Sequence, residues 1–101
     1  MITRYWKGLV KEERSEEYIQ HLRKETLDHV KTLDGFLGAE VLQSRLPQGV
    51  EFIVLTKWSS LEVIKAFAGD DITKAVVPDK AADMMIDFDD TVKHYSTSIK
   101  L

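Results

Sequence analysis

Two residues of this chain stand out as able to move or hold a proton, and each lies beside an aromatic ring. His94 precedes Tyr95 near the carboxyl end, and Arg4 is two residues from Trp6 in the opening segment. A histidine titrating near ~6.5 can take a proton from a phenol or enol at neutral pH, and a guanidinium can steady the oxyanion left behind. His94 can equally be a strand histidine that bonds a neighbour or faces a subunit seam, and Arg4 a surface charge paired with one of the many acids. Trp6, Tyr95 and Trp58 are large enough to wall a flat aromatic ligand, although any of them can be plain core. Trp58 ends an apolar run just ahead of a helix start, a position suited to packing that helix. His29 falls on the apolar stripe of a helix, where a polar ring needs a partner in the protein or in a ligand. His21 falls off that stripe and reads as solvated.

Other chemistries find no support. The absence of cysteine excludes a disulfide framework, thiolate metal sites and a cysteine nucleophile. Asp70-Asp71 and Asp89-Asp90 read as helix caps, because no histidine or further carboxylate stands at ligand spacing, so no metal site is assigned. There is no glycine-rich phosphate loop, no Gly-x-Ser-x-Gly and no His-Glu-x-x-His. Fourteen basic and 17 acidic residues, scattered in both signs, give a net charge of −3 without the basic stripe of a nucleic-acid binder. No apolar run approaches the ~18 residues of a membrane span. The start Met1-Ile2-Thr3-Arg4-Tyr5-Trp6 lacks the basic head and apolar centre of an export signal, so a cytoplasmic location is expected.

The frame that must carry these side chains is legible from periodicity. The 101 residues suit one domain spanning 1–101. Ile2 to Val10 reads as a strand. Ile19, Leu22, Thr26, His29, Val30 and Leu33 recur at helical spacing, giving an amphipathic helix over 16–32 with Ser15 as its N-cap. Gly35 ends that helix, and Ala39 to Leu46 and Val50 to Trp58 follow as strands joined by Pro47-Gln48-Gly49. Ser59-Ser60-Leu61-Glu62 resembles a capping box opening a helix with Val63, Ile64 and Phe67 that stops near Gly69. Pro78 opens a short helix carrying Ala81, Met84, Met85 and Phe88, and Thr91 to Leu101 reads as a last strand. Two split β-α-β units of this kind predict an α+β, ferredoxin-like, four-stranded antiparallel sheet with helices on one face. The run Phe52-Ile53-Val54-Leu55 is apolar on both faces of its strand, so the face without helices needs cover, and a second copy of the chain supplies it. A sheet-to-sheet homodimer is the expected partner.

The chain resembles the antibiotic-biosynthesis-monooxygenase-like group of the dimeric α/β-barrel superfamily. The likeness rests on Arg4-x-Trp6-x-Gly8, Leu33-Asp34-Gly35-Phe36-Leu37-Gly38, Leu55-Thr56-Lys57-Trp58-Ser59-Ser60, Lys65-Ala66-Phe67-Ala68-Gly69-Asp70 and the ending Phe88-Asp89-x-x-Val92-x-His94-Tyr95. It implies a dimeric barrel and a cofactor-independent monooxygenase acting on a small hydrophobic or aromatic, polyketide- or quinol-like compound, with no metal, haem or flavin. His94 would then be the proton acceptor, Arg4 the anion holder, and Trp6, Tyr95, His29 and Trp58 the substrate contacts. The haem-degrading branch is disfavoured, since its asparagine, tryptophan and histidine positions hold Lys7 or Gly8, Phe67, and Val76 or Val77. A non-catalytic ligand-binding or structural dimer of the same fold is the alternative.

Overall fold

The computed structural model describes residues 1–101. Strands β1 (Ile2–Val10), β2 (Phe36–Leu46), β3 (Gly49–Trp58), β4 (Met85–Phe88) and β5 (Lys93–Ser96) form one antiparallel sheet in the order β2-β3-β1. The other two strands lie along the remaining edge of β1: β4 pairs near Gly8 to Val10, and β5 pairs over Ile2 to Tyr5. The fourth place in the sheet is therefore filled by two short strands, with residues 89–92 stepping off the edge between them. The expected α+β plan with helices on one face holds, with five strands in place of four.

β1 and β3 run in unbroken register from Ile2 opposite Trp58 to Val10 opposite Val50. Directly opposed residues share a face, so Arg4, Trp6, Gly8 and Val10 join Val50, Phe52, Val54, Thr56 and Trp58 on the helix-covered side, and all nine are buried. Tyr5, Lys7, Leu9, Ile53 and Leu55 occupy the opposite side and are only half-buried within one chain. Leu42 on β2 and Tyr95 on β5 extend that outer face, 45% and 52% exposed.

The first helix starts directly from a 3-10 turn (Glu12–Arg14) and has three parts: α1 (Ser15–His21), a π-helical stretch (Leu22–Leu27) and α2 (Asp28–Val30). Ser15 does not cap it; its hydroxyl donates to the Glu12 carbonyl at 3.0 Å. Tyr18 and Leu22 pack on the sheet, with the Tyr18 ring edge-on to Phe52 at 5.1 Å. A second helical turn (Glu62–Ile64, continuing as α3, Lys65–Ala68) ends at Gly69 with φ +82. The expected Ser59–Glu62 capping box is not formed: Ser59 N donates to the Gly35 carbonyl at 2.8 Å, and Glu62 pairs with Lys65. Gly35 needs its φ of +86 to deliver that carbonyl, and a side chain there would strike Val63 and Ser59.

The chain closes through α4 (Asp79–Ala82), preceded by Pro78, and then β4. Met85 and Phe88 lie on a strand, whereas their spacing from Ala81 suggested a longer helix. Spacings of three and four residues are ambiguous over so short a run, and the open edge of β1 supplies backbone partners that an isolated turn of helix lacks. No helix is long and apolar enough to cross a membrane.

Candidate functional site

Between the inner face of β1, α1 with its π stretch, and the segment 76–81 lies a cavity of about 60 Å³. One water needs roughly 10–15 Å³ on such a measure, so there is room for several waters or a small ring. The wall is mostly apolar: Val54, Phe67, Val76, Val77, Met85 and Val92 face it, with Trp6, Tyr18 and Leu22. Arg4, His21, Thr26 and Thr56 supply the polar groups. A larger groove of about 490 Å³ opens between the helix and β2, but Arg23 and Gln43 are its only polar lining, and both are exposed. The smaller cavity, which brings buried polar groups together, is the better place for chemistry.

Arg4 is 4% exposed. Its Nη1 donates to the Ile72 carbonyl at 2.5 Å, its Nη2 donates to the Lys74 carbonyl at 2.8 Å, and Nη1 lies 3.1 Å from His94 Nε2. No carboxylate pairs with it. The guanidinium carbon sits 5.7 Å from the centre of the Phe67 ring, within cation–π range. Burial without a counter-anion lowers the Arg4 pKa to about 10, so the group is still a cation at neutral pH. A guanidinium has five N–H donors, and three are used here, which leaves Nε–H and one Nη2 hydrogen without a protein acceptor. The same two carbonyl bonds tie down the segment that roofs the cavity. Backbone bonds Val92 N to Thr73 O and Ala75 N to Asp90 O pin that segment to the gap between β4 and β5.

His94 stands directly across from Arg4 on β5, half-buried. Since Arg4 can only donate, Nε2 of His94 accepts, and its proton resides on Nδ1. Burial first, and the neighbouring Arg4 cation second, lower the His94 pKa below its ordinary value. The ring therefore braces the guanidinium and does not itself face the cavity.

Trp6 lies along the wall with its ring folded over Gly8, and its Nε1 donates to the Asp89 carbonyl at 2.8 Å. Trp58 is fully buried in a second apolar cluster with Val30 and Ile64, stacked on Phe67 at 6.0 Å, and its Nε1 donates to Thr56 Oγ1 at 2.9 Å. It touches the cavity only through these two neighbours. Tyr95 points to the outer face, edge-on to Tyr5 at 6.5 Å. His29 is exposed and away from the cavity, contrary to its expected inward position. The π stretch is the cause: an i→i+5 helix turns less per residue than the ~100° of an α-helix, so the six residues Leu22–Leu27 set later positions back by roughly a right angle. His29 rotates out, while Val30 stays on the inward side and is fully buried.

His21, read as solvated, is instead 6% exposed and lines the cavity. Its ring stacks on Tyr18 at 6.1 Å, and its Nδ1 lies 2.9 Å from Glu25 Oε2, near in distance but outside hydrogen-bond alignment. The i,i+4 spacing of His21 and Glu25 was the sequence signal for this pair. Tyr18 is buried, which raises its pKa and keeps its hydroxyl protonated. Asp71 accepts from both N and Oγ1 of Thr73, which lowers its pKa and gives it a local turn-stabilising role.

The fold has a counterpart in the crystal structure of a "putative antibiotic biosynthesis monooxygenase" from Bacillus cereus, which aligns over 99% of this chain and 93% of its own with a TM-score of 0.66 at 20% identity. No curated protein matches the sequence. The antibiotic biosynthesis monooxygenase family model matches residues 1–79, which include β1 to β3, the first two helical segments and the Arg4, Trp6 and His21 walls of the cavity. With that match covering most of the chain, and with the same sheet and helix arrangement recurring in the Bacillus cereus structure, the chain belongs to the antibiotic biosynthesis monooxygenase family.

Proposed function

We propose that this protein is a homodimeric, cofactor-independent monooxygenase that oxidises a small phenolic or enolic compound in the cavity beside Arg4. The observation that carries the reading is a buried cation with no anionic partner, lining a mostly apolar pocket and keeping two donors to spare. Such a site stabilises an oxyanion far better than water does, because its dipoles and charge are already in place and the local dielectric is low. An ionised phenol or enol is electron-rich enough to pass an electron to O2 directly. At a ring CH2 conjugated to that oxygen, the balance is CH2 + O2 → C=O + H2O: both hydrogens leave with one oxygen atom as water, and the other oxygen becomes the carbonyl. Trp6, Phe67 and Val92 wall the ring and keep water from the intermediate. His94 steadies Arg4 by accepting from Nη1.

The dimer belongs to the same proposal. Tyr5, Leu9, Leu42, Ile53, Leu55 and Tyr95 form the apolar part of an outer face that also carries Lys7, Glu40, Glu51, Lys57, Asp87 and Lys93, and a second copy packed sheet to sheet would cover it. Oxygen uptake by purified protein with a panel of hydroquinones, naphthols and other polyphenols tests the activity. Uptake above the spontaneous rate, lost in Arg4→Met, supports the reading. Binding without uptake across the panel overturns it in favour of a non-catalytic binding dimer.

A further inference from the structure

We propose that the base of this cavity is His21, oriented by Glu25, and that it removes the phenolic or enolic proton through Nε2. This deepens the monooxygenase reading and rests on it for the class of substrate. His21 occupies the last position of α1, at the junction with the π stretch, and shares the cavity wall with Arg4. A neutral imidazole has one donor nitrogen and one acceptor nitrogen. The Glu25 carboxylate 2.9 Å from Nδ1 favours the proton there, and Nε2, which makes no hydrogen bond to the protein, keeps its lone pair. Poor alignment of such a pair is common before substrate binds and tightens afterwards. His94 lacks this freedom, since its Nε2 already accepts from Arg4 and the cavity does not reach it.

In the step itself the O–H bond breaks, an N–H bond forms at Nε2, and the electron pair stays on oxygen opposite the Arg4 guanidinium. The imidazolium is then balanced by Glu25. The charged and titratable groups around the ring are Glu25 on its own helix, Tyr18 stacked against it, Lys80 from α4, whose Nζ is 3.4 Å from the other Glu25 oxygen, and Arg4 on the facing wall. Lys80 competes with His21 for the carboxylate. Glu25 is a positioning residue; only His21 meets the substrate.

The probe is 4-nitrophenol, whose ionised form alone absorbs in the visible. It is added to the wild-type protein in weakly buffered solution at a pH below the free phenol's titration midpoint. The expected result is a visible bound phenolate without release of a proton to solution, because His21 keeps it. His21→Gln is expected either to bind the colourless phenol or to release about one proton per phenolate bound, and to slow oxidation of any active polyphenol by roughly 10²- to 10⁴-fold. Identical colour and proton count in wild type and H21Q would overturn the assignment, as would failure of the wild type to bind the probe. Absence of oxygen uptake defeats only the monooxygenase reading, since the proton count needs no turnover. If H21Q does not fold, Glu25→Gln, altered at a half-exposed position, gives the second reading. Its bound phenol is expected to ionise only at a higher pH, and an unchanged midpoint defeats the proposal.

Discussion

Gly8→Ala connects the opening motif to the cavity, and its cost can be worked from the structure. Gly8 is not at positive φ, so the backbone there accepts alanine and the constraint is purely steric. An added Cβ would lie 2.5 Å from Trp6 Cη2, 3.0 Å from Cζ2 and 3.2 Å from Met85 Sδ, where carbon contacts ordinarily rest at ~3.5–4.0 Å. The indole has to give way by about 1 Å. It is held on the far side by the bond from Nε1 to Asp89 O and flanked by Phe88 at 6.5 Å. Overpacking of this kind costs about 1–3 kcal/mol, and loss of the indole hydrogen bond adds roughly 0.5–1.5 kcal/mol. Replacing glycine in a strand recovers about 0.5–1 kcal/mol by restricting the unfolded chain. The net destabilisation is about 0.5–4 kcal/mol, which lowers the melting temperature by roughly 4–8 °C for each kcal/mol. Urea unfolding followed by circular dichroism reads the stability, and tryptophan emission reads the ring, since Trp58 is fully buried in the other cluster and supplies a constant background. A G8A protein as stable as wild type, with unchanged emission, would refute the picture of an indole folded over a glycine.

Three further outcomes are expected. His94 has a lowered pKa in the folded state, so between that value and ~6.5 the unfolded chain binds more protons and stability rises with pH; its contribution is complete above ~6.5 and is lost as pH falls through the window. His94→Gln should flatten that slope in urea melts taken across pH 5 to 7, and a slope as steep as wild type excludes His94 as its source; the depressed carboxylates Glu17 and Asp71 act at lower pH. Arg4→Met should weaken binding of 4-nitrophenolate by roughly 10- to 100-fold, the worth of a hydrogen bond to a charged group, and leave uncharged nitrobenzene nearly unaffected; equal loss of both ligands means that the cavity collapsed and that the charge was not the cause. Ile53→Asp, at the centre of the outer face, should turn a sedimenting dimer into a monomer with unchanged circular dichroism, whereas a monomeric wild type at micromolar concentration removes the dimer altogether.

Much of the frame was legible because β1 and β3 are short apolar, β-branched and aromatic runs bounded by turn signals, and glycines mark both helix ends. The spacing of two puts Arg4 and Trp6 on one face of their strand, though the sequence left open whether Arg4 was a surface charge, and the structure puts both on the cavity wall. Tyr95 could not be placed, because a last strand without flanking alternation has no defined register, and its pairing with β1 turns it outward. Met85 and Phe88 were misread because spacing alone does not distinguish a helical turn from a strand that fills an open edge. Two side-chain caps expected at Ser15 and Ser59 are not formed: both helices are entered through a 3-10 turn, which puts Ser15 inside the first helix with its hydroxyl on the Glu12 carbonyl, while Ser59 is tied by its backbone N–H to Gly35.

The histidines carry the deeper lesson, since the two on the first helix depart from the expected stripe in opposite senses and for different reasons. A stripe drawn at 3.6 residues per turn from Ile19 and Leu22 passes through His29 and leaves His21 to the side. The stripe is right at its start and drifts only within Leu22–Leu27, where the wider turn sets the phase back and puts Leu22, Thr26 and Val30 in line at intervals of four. His21 precedes that stretch and is not moved by it; it is buried because the cavity wall is broader than one stripe, with Tyr18 covering one side of its ring. Nothing in Leu22-Arg23-Lys24-Glu25-Thr26-Leu27 forbids an ordinary α-helix, so the wider turn is imposed by packing against the sheet. A π turn in the middle of a helix costs hydrogen-bond geometry and persists only where tertiary contacts favour it. Here it faces Thr26 into the cavity and sends His29 to solvent, so the cavity's helical wall presents one histidine, and that histidine has a carboxylate behind it.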